Sequence, residues 1–314
     1  MLLSACVAAT VAARPDAAAA ADNESLAMTL GAPSADQLTL TEALAITLAN
    51  NPELAAARAA VAASEADARQ AGSFVNPELS LEVENFAGSD ELSDFDGAET
   101  TLRLDQTIEL GGKRAQRRAS GSAAQAVAVQ QQHLTRAELY ARTVEAFMGV
   151  LAAQERWQLA EIRLQLATKT FAGIEAQIEA GKSPTIAGIR SRPLLIEAGL
   201  ELDRASGELH AARQTMASLL GVADAASLVA QGDLAALPEV PEPDAVESTI
   251  PAAPQLALAA AARDQAAQEL AGEKLRAIPD VTLGLGVRRF EEGDEHALVA
   301  GLSVPLPLFD RNRN

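Results

Sequence analysis

Aromatic side chains are nearly missing from this chain, which has one Trp, one Tyr and 3% aromatics in 314 residues. A single globular core of that size normally leans on large rings and branched aliphatics. Here the apolar fraction is 48%, much of it alanine. Such a composition, carried on long three–four periodicity, excludes a conventional core and suggests long helices packed closely side by side. Cysteine is used once, at Cys6, which excludes an intrachain disulfide and a cysteine-based metal cluster. The three histidines, His133, His210 and His296, lie far apart. The first two fall in helical patterns without a ligand partner at i+4, so they read as surface or packing residues. Positive charge is scarce: 25 Lys and Arg against 43 Asp and Glu leave a net charge of −18. That excludes nucleic acid as a partner, because phosphate binding needs a basic surface. The acidic excess is either a solvated surface or a surface favouring cations. No nucleophile–base pair, phosphate loop or metal-ligand cluster stands out. No catalytic residue, metal site or cofactor is therefore expected, and the chain does not read as an enzyme.

Residues 1–25 read as an export segment. Leu2 to Ala13 is apolar but too short to span a bilayer, and no stretch of ~20 apolar residues follows it. Ala17 to Ala21 could precede a cleavage site, whereas Leu3-Ser4-Ala5-Cys6 resembles a lipobox in which Cys6 would be lipidated; both readings stand. The basic stretch that normally precedes such a segment is missing, which points to a start further upstream. Both readings place the protein outside the inner membrane.

A first helix is expected from Thr41 to Ala71, capped by Thr39 or Thr41, with a break at Asn50-Asn51-Pro52. Leu79, Leu81 and Val83 then alternate with Glu78, Ser80, Glu82 and Glu84, which is strand periodicity. Gly88 to Gly97 would turn the chain. The return strand sets Leu102, Leu104, Ile108 and Leu110 against Thr101, Arg103, Asp105, Thr107 and Glu109. Each strand is about ten residues long, as in a tilted membrane-spanning strand, and Phe74 and Phe86 flank the first where an aromatic girdle would lie. An ordinary water-exposed hairpin would show the same alternation.

After Gly111-Gly112, no proline interrupts the chain from Lys113 to Ser183, a helix on the order of 100 Å long. A seam is expected along Leu134, Ala137, Ala141, Val144, Met148 and Leu151, met by Leu195, Ala198, Leu202, Ala205, Leu209, Ala212, Met216 and Leu219 on a returning helix. Gly181-Lys182-Ser183-Pro184 is the turn between them; Pro193 should kink the return helix and Gly221 should stop it. Val222 to Thr249 is a proline-rich acidic linker. The pattern then recurs. Asn51-Pro52-Glu53-Leu54 returns as Ala253-Pro254-Gln255-Leu256, and Asn76-Pro77-Glu78-Leu79 as Ile278-Pro279-Asp280-Val281, with 25 positions between the prolines each time. Val281, Leu283, Leu285 and Val287 make a third alternating strand; Leu298, Ala300, Leu302, Val304 and Leu306 make a fourth. The organisation is thus a first repeat over 37–221, the linker over 222–249 and a second repeat over 250–314 that lacks the long helix pair of the first. The expected reading is a fragment or an incomplete gene product.

This order of elements resembles the TolC-like outer-membrane efflux channels, and local motifs are similar to their heavy-metal branch, the outer-membrane components of cobalt-zinc-cadmium and copper-silver exporters. The residues carrying the resemblance are Asn51-Pro52-Glu53-Leu54, Gln106, Ile108-Glu109-Leu110-Gly111-Gly112-Lys113-Arg114, Gly181-Lys182-Ser183-Pro184 and Val304-Pro305-Leu306-Pro307-Leu308-Phe309-Asp310-Arg311-Asn312. One departure is that Thr185-Ile186-Ala187-Gly188, just after the turn, carries no acidic residue. The resemblance implies a mainly helical fold with β-structure: long antiparallel coiled-coil helices forming a trimeric α-barrel, and hairpins forming a shared twelve-stranded transmembrane β-barrel in the outer membrane. It implies a homotrimer partnered by a periplasmic adaptor, docked at Gly181, Lys182, Ser183 and Pro184, and by an inner-membrane RND-type pump. Glu82, Glu84, Arg103, Asp105 and Glu109 would line the barrel lumen. The same fold also serves multidrug efflux and type I protein secretion. A periplasmic coiled-coil scaffold is the further alternative, though a scaffold has no need of four strands with apolar outer faces.

Overall fold

The computed structural model describes residues 38–87, 97–223, 227–236, 242–293, 295–308 and 312. Cys6, the rest of the export segment and nearly all of the Gly88–Gly97 turn lie outside them. In chain order the elements are β1 (Leu38–Thr39), α1 (Leu40–Asn50), α2 (Pro52–Ala71), β2 (Glu78–Glu84), β3 (Glu99–Ile108), α3 (Lys113–Glu179), α4 (Ile186–Leu220), β4 (Ala230–Gln231), α5 (Pro243–Thr249), a 3-10 turn at Ile250–Ala252, α6 (Pro254–Leu275), β5 (Val281–Phe290) and β6 (Glu295–Ser303). The chain divides into two compact units. One comprises Met1–Ala43, Ala146–Ala217 and Val222–Leu234; the other comprises Leu44–Glu145, Ser218–Gly221 and Ala235–Asn314.

In the first unit, Thr39 caps α1 through a reciprocal box. The Glu42 carboxylate accepts from the Thr39 amide (2.9 Å), and the Thr39 hydroxyl accepts from the Glu42 amide (3.3 Å). The helix therefore starts at Leu40, ahead of the expected Thr41. The hydrogen bond from the Thr39 backbone also holds the Glu42 carboxyl below the usual carboxylate range. Part of the expected linker is structured: Ala230–Gln231 pairs in parallel with Leu38–Thr39. The Gln154 side chain completes that bridge, donating to the Ala230 carbonyl (3.0 Å) and accepting from its amide (2.8 Å). A two-residue strand has no periodicity to read, which is why the sequence reading missed it. The α3 and α4 segments of this unit are cross-linked by Arg156–Glu208 and Arg163–Glu201, pairs spaced one heptad apart on both helices, which fixes an antiparallel register.

In the second unit, Pro52 separates α1 from α2 as expected, and Asn51 makes the junction. Its Oδ1 accepts from the Glu53 amide (2.9 Å) as an N-cap, and its Nδ2 donates to the Leu219 carbonyl at the end of α4 (3.1 Å). Gly221, at φ +69°, ends α4. In the repeat, Ala253 takes the same extended backbone before Pro254 but offers no side-chain cap.

The seam of α4 lies where expected, with Ala198, Ala205, Leu209, Met216 and Leu219 buried. On α3 it holds at Leu151, which is buried, but Ala137, Ala141 and Met148 are exposed, and Leu139, Thr143, Phe147 and Val150 are buried instead. Thr143 fits because its hydroxyl donates to the Leu139 carbonyl (2.7 Å), satisfying the polar group inside the helix. Helix α4 runs through Pro193 without a break.

The two hairpins join into one antiparallel sheet in the order β2-β3-β5-β6. The register places Leu79 opposite Leu104, Leu104 opposite Leu285, and Leu285 opposite Ala300, so the middle of this face is an apolar row across all four strands. β2 is seven residues long, shorter than expected, because Asn85 turns away at φ +55°. Glu109 and Leu110 fall beyond β3, and Val304 and Leu306 beyond β6.

Candidate functional site

Two places gather the residues singled out by the sequence: the sheet in the second unit and the helix-to-helix turn in the first. One sheet face carries Leu79, Leu81, Val83, Leu102, Leu104, Ile108, Leu283, Leu285, Val287, Leu298 and Leu302, all more than 40% exposed, with Leu298 at 90%. An aliphatic surface that wide, facing outward on every strand, requires a cover. Among the described residues, no helix is long and apolar enough to cross a membrane. Phe74 and Phe86 lie exposed beyond the two ends of β2.

The opposite face is polar and largely self-paired. Arg103 and Asp105 form an ion pair, with Nε–Oδ1 at 2.8 Å and Nη2–Oδ1 at 2.7 Å. Arg288, absent from the expected site, binds Glu99 (2.6 Å), Glu84 (3.1 Å) and the Thr101 hydroxyl (3.0 Å). It joins strands β2, β3 and β5, and its place on the Thr282–Gly284–Gly286 side of the strand alternation was the available signal. Glu82 is exposed on this face opposite Thr101.

Glu109 is placed differently from the other four expected lumen residues. It sits past the end of β3 and pairs with Arg117. Arg117 also donates to the carbonyls of Ala71 (3.1 Å) and Ser73 (2.7 Å), and Arg114 donates to Gly72 (2.6 Å) while stacking 3.6 Å from the Phe74 ring. These arginines satisfy the open carbonyls at the end of α2, whose cap residue Gly72 keeps a right-handed backbone. That role explains a basic cluster at the start of α3, where the helix dipole alone would prefer acids. Gly111 and Gly112, at φ +68° and +78°, turn the chain from β3 into α3, and Lys113 is held by Asp280 of the second repeat (2.8 Å).

The turn after α3 is a Schellman closure. Gly181, at φ +67°, donates to Ile178 (2.9 Å), and Lys182 donates to Gln177 (2.8 Å). The Pro184 carbonyl accepts from Ala187 (2.9 Å) to open the return helix. Gly181, Lys182 and Pro184 are exposed; Ser183 is half-buried. Exposed apolar residues continue along the helix pair, including Ile162, Leu166, Ile189, Leu194 and Leu200. Among the described residues, no group of three or more His, Cys, Asp or Glu could hold a metal ion.

The chain belongs to the outer membrane efflux protein family, whose sequence profile matches residues 43–222. It is similar to the cobalt-zinc-cadmium resistance protein CzcC of Cupriavidus metallidurans, at 32% identity over 89% of this chain and 65% of that protein. It is also similar to the nickel-cobalt-cadmium resistance protein NccC of Alcaligenes xylosoxydans xylosoxydans, at 29% identity over 85% of this chain and 60% of that protein. The chain thus spans less than two thirds of the length of these relatives. The fold is that of the channel CusC, with a TM-score of 0.70 at 18% identity over 87% of this chain and 67% of that one.

Proposed function

We propose that this chain is the outer-membrane channel subunit of a tripartite efflux system that exports heavy-metal cations, a passive exit duct without catalysis that reaches from the outer membrane into the periplasm. The observation that carries the reading is the four-stranded sheet with one broadly aliphatic, exposed face, interrupted by Gln106 and, towards the hairpin ends, by Thr100, Arg289 and His296. Such a face suits lipid, but an open sheet cannot lie in lipid, because the edges β2 and β6 would leave backbone groups without partners. Four strands are also too few to close. Three copies supply twelve strands and remove every edge. The exposed apolar stripe on the helix pair supports association in the same way. Phe74 and Phe86 would stand at the two interfaces of the apolar band. The polar face, with Glu82, Glu84, Arg103 and Asp105, would line the duct, while Glu109 is committed to Arg117. The turn Gly181-Lys182-Ser183-Pro184 would receive a periplasmic adaptor, which couples the duct to an inner-membrane RND-type pump.

The names of the curated relatives favour metal cations over other cargo. The test is a strain deleted for this gene, complemented with the full-length protein. Expected is restored tolerance to cobalt, zinc, cadmium or nickel salts. Restored tolerance to organic toxicants, without any change for metals, would favour the multidrug reading instead.

A further inference from the structure

Three glycines share the polar face of the sheet: Gly284 and Gly286 on β5 and Gly301 on β6. On the register, Gly286 stands opposite Arg103, Gly284 opposite Asp105, and Gly301 opposite Gly284. Glycine inside a strand weakens it and marks a close approach. Here the approaching group is the Arg103 side chain. A Cβ at Gly284 would collide with Arg103 Nε and Nη2 and with Asp105 Oδ1. One at Gly301 would lie 2.7 Å from Arg103 Nη2 and 3.0 Å from its Cζ. At Gly286 the clash is with backbone, 2.7 Å from the Leu102 carbonyl, so that glycine serves strand packing. Gly284 and Gly301 form a trough in which the guanidinium lies flat on the sheet, pinned at its mouth by Asp105.

We propose that this trough stows Arg103 and thereby sets both the width and the charge of the duct. Stowed, the guanidinium does not project from the wall, and its charge cancels that of Asp105. The carboxylates of Glu78, opposite Asp105, and of Glu82, both exposed and outside the ion pairs of this face, then give it its cation preference. Each copy contributes one such arginine. The inference rests on the reading of this face as the lumen.

The experiment is single-channel recording of the full-length protein in planar lipid bilayers, with conductance and reversal potential read in a KCl gradient. Gly301→Ala should lift Arg103 off the sheet and lower conductance, and adding Arg103→Ser to that variant should restore it. Arg103→Ser alone unmasks Asp105 and should shift the reversal potential towards that of K⁺; Asp105→Asn frees the guanidinium and should shift it towards that of Cl⁻. Unaltered conductance in Gly301→Ala, or a loss that Arg103→Ser does not restore, would overturn the proposal. If Gly301→Ala fails to assemble, the two reversal potentials decide, and no shift in either overturns it. A wild-type protein that forms no pores at all would instead sink the barrel reading on which the proposal stands.

Discussion

Replacing Asn51 by alanine removes two bonds at one buried point. The residue is 4% exposed and ties the start of α2 to the end of α4. Loss of the cap on the Glu53 amide costs about 1 kcal/mol. Loss of the donor to the Leu219 carbonyl leaves a buried acceptor without its partner, costing roughly 1–2 kcal/mol more. The sum is about 2–3 kcal/mol, read as a lowered midpoint in denaturant melts of the detergent-solubilised protein followed by helix ellipticity. Asn51→Asp keeps the capping oxygen and loses the amide donor, so it should fall between wild type and Asn51→Ala. The internal repeat supplies the converse experiment. Ala253 has φ −61° and ψ 133°, close to the −66° and 127° of Asn51, but no side-chain cap. Ala253→Asn should therefore stabilise by up to about 1 kcal/mol. An Asn51→Ala protein within about 0.5 kcal/mol of wild type, the ordinary spread for surface changes, would refute the view that this side chain holds the junction.

The hydrogen bond from Arg142, reinforced by its charge, holds the Glu53 carboxyl below the usual carboxylate range and the Arg142 guanidinium above its own. With a depressed folded value, the pair's contribution is present above the ordinary carboxylate pKa of about 4.3 and is lost as pH falls through the lower folded value. Both side chains are about half exposed, so the effect is below about 1 kcal/mol; acid titration of stability should lose that increment in Glu53→Gln. On the sheet, Leu285→Arg on the apolar face should abolish recovery of the protein in outer-membrane fractions, at a cost of about 2–4 kcal/mol near mid-bilayer, whereas Ala297→Arg on the polar face should be recovered normally. At the turn, Gly181 has open space but a backbone at φ +67°, so Gly181→Ala should cost about 1–2 kcal/mol through conformation alone. Gly181→Trp should abolish metal resistance while the protein still reaches the outer membrane; unaltered resistance and unaltered crosslinking to the adaptor would make this turn purely structural.

Most of the fold was legible because its signals are periodic. Leu79, Leu81 and Val83 alternate cleanly, prolines recur at equal spacing, and Gly111, Gly112, Gly181 and Gly221 stand where the backbone needs positive φ. The α3 seam was misplaced ahead of Leu151 because alanine is ambiguous: Ala137 and Ala141 keep the spacing of a seam yet lie exposed, while Thr143, polar by composition, is fully buried with its hydroxyl bonded to the helix. Glu109 continued the strand alternation on paper, but the strand ends at Ile108 and Arg117, a turn into α3, takes the carboxylate. Arg288 and the glycines opposite Arg103 were visible as residues. Their meaning depended on which strand pairs with which, and the β3–β5 pairing joins segments more than 170 positions apart, which no local pattern encodes.

On the function proposed above, the aliphatic sheet face meets lipid as part of a barrel shared among copies. Chemical crosslinking of the full-length protein in native outer membranes, resolved by size, tests it most directly. The product series should stop at a three-chain species, because twelve strands from three copies would close the barrel and leave no edge for a fourth. A protein that is recovered from the aqueous fraction as a monomer, with β2 and β6 left unpaired, would contradict it.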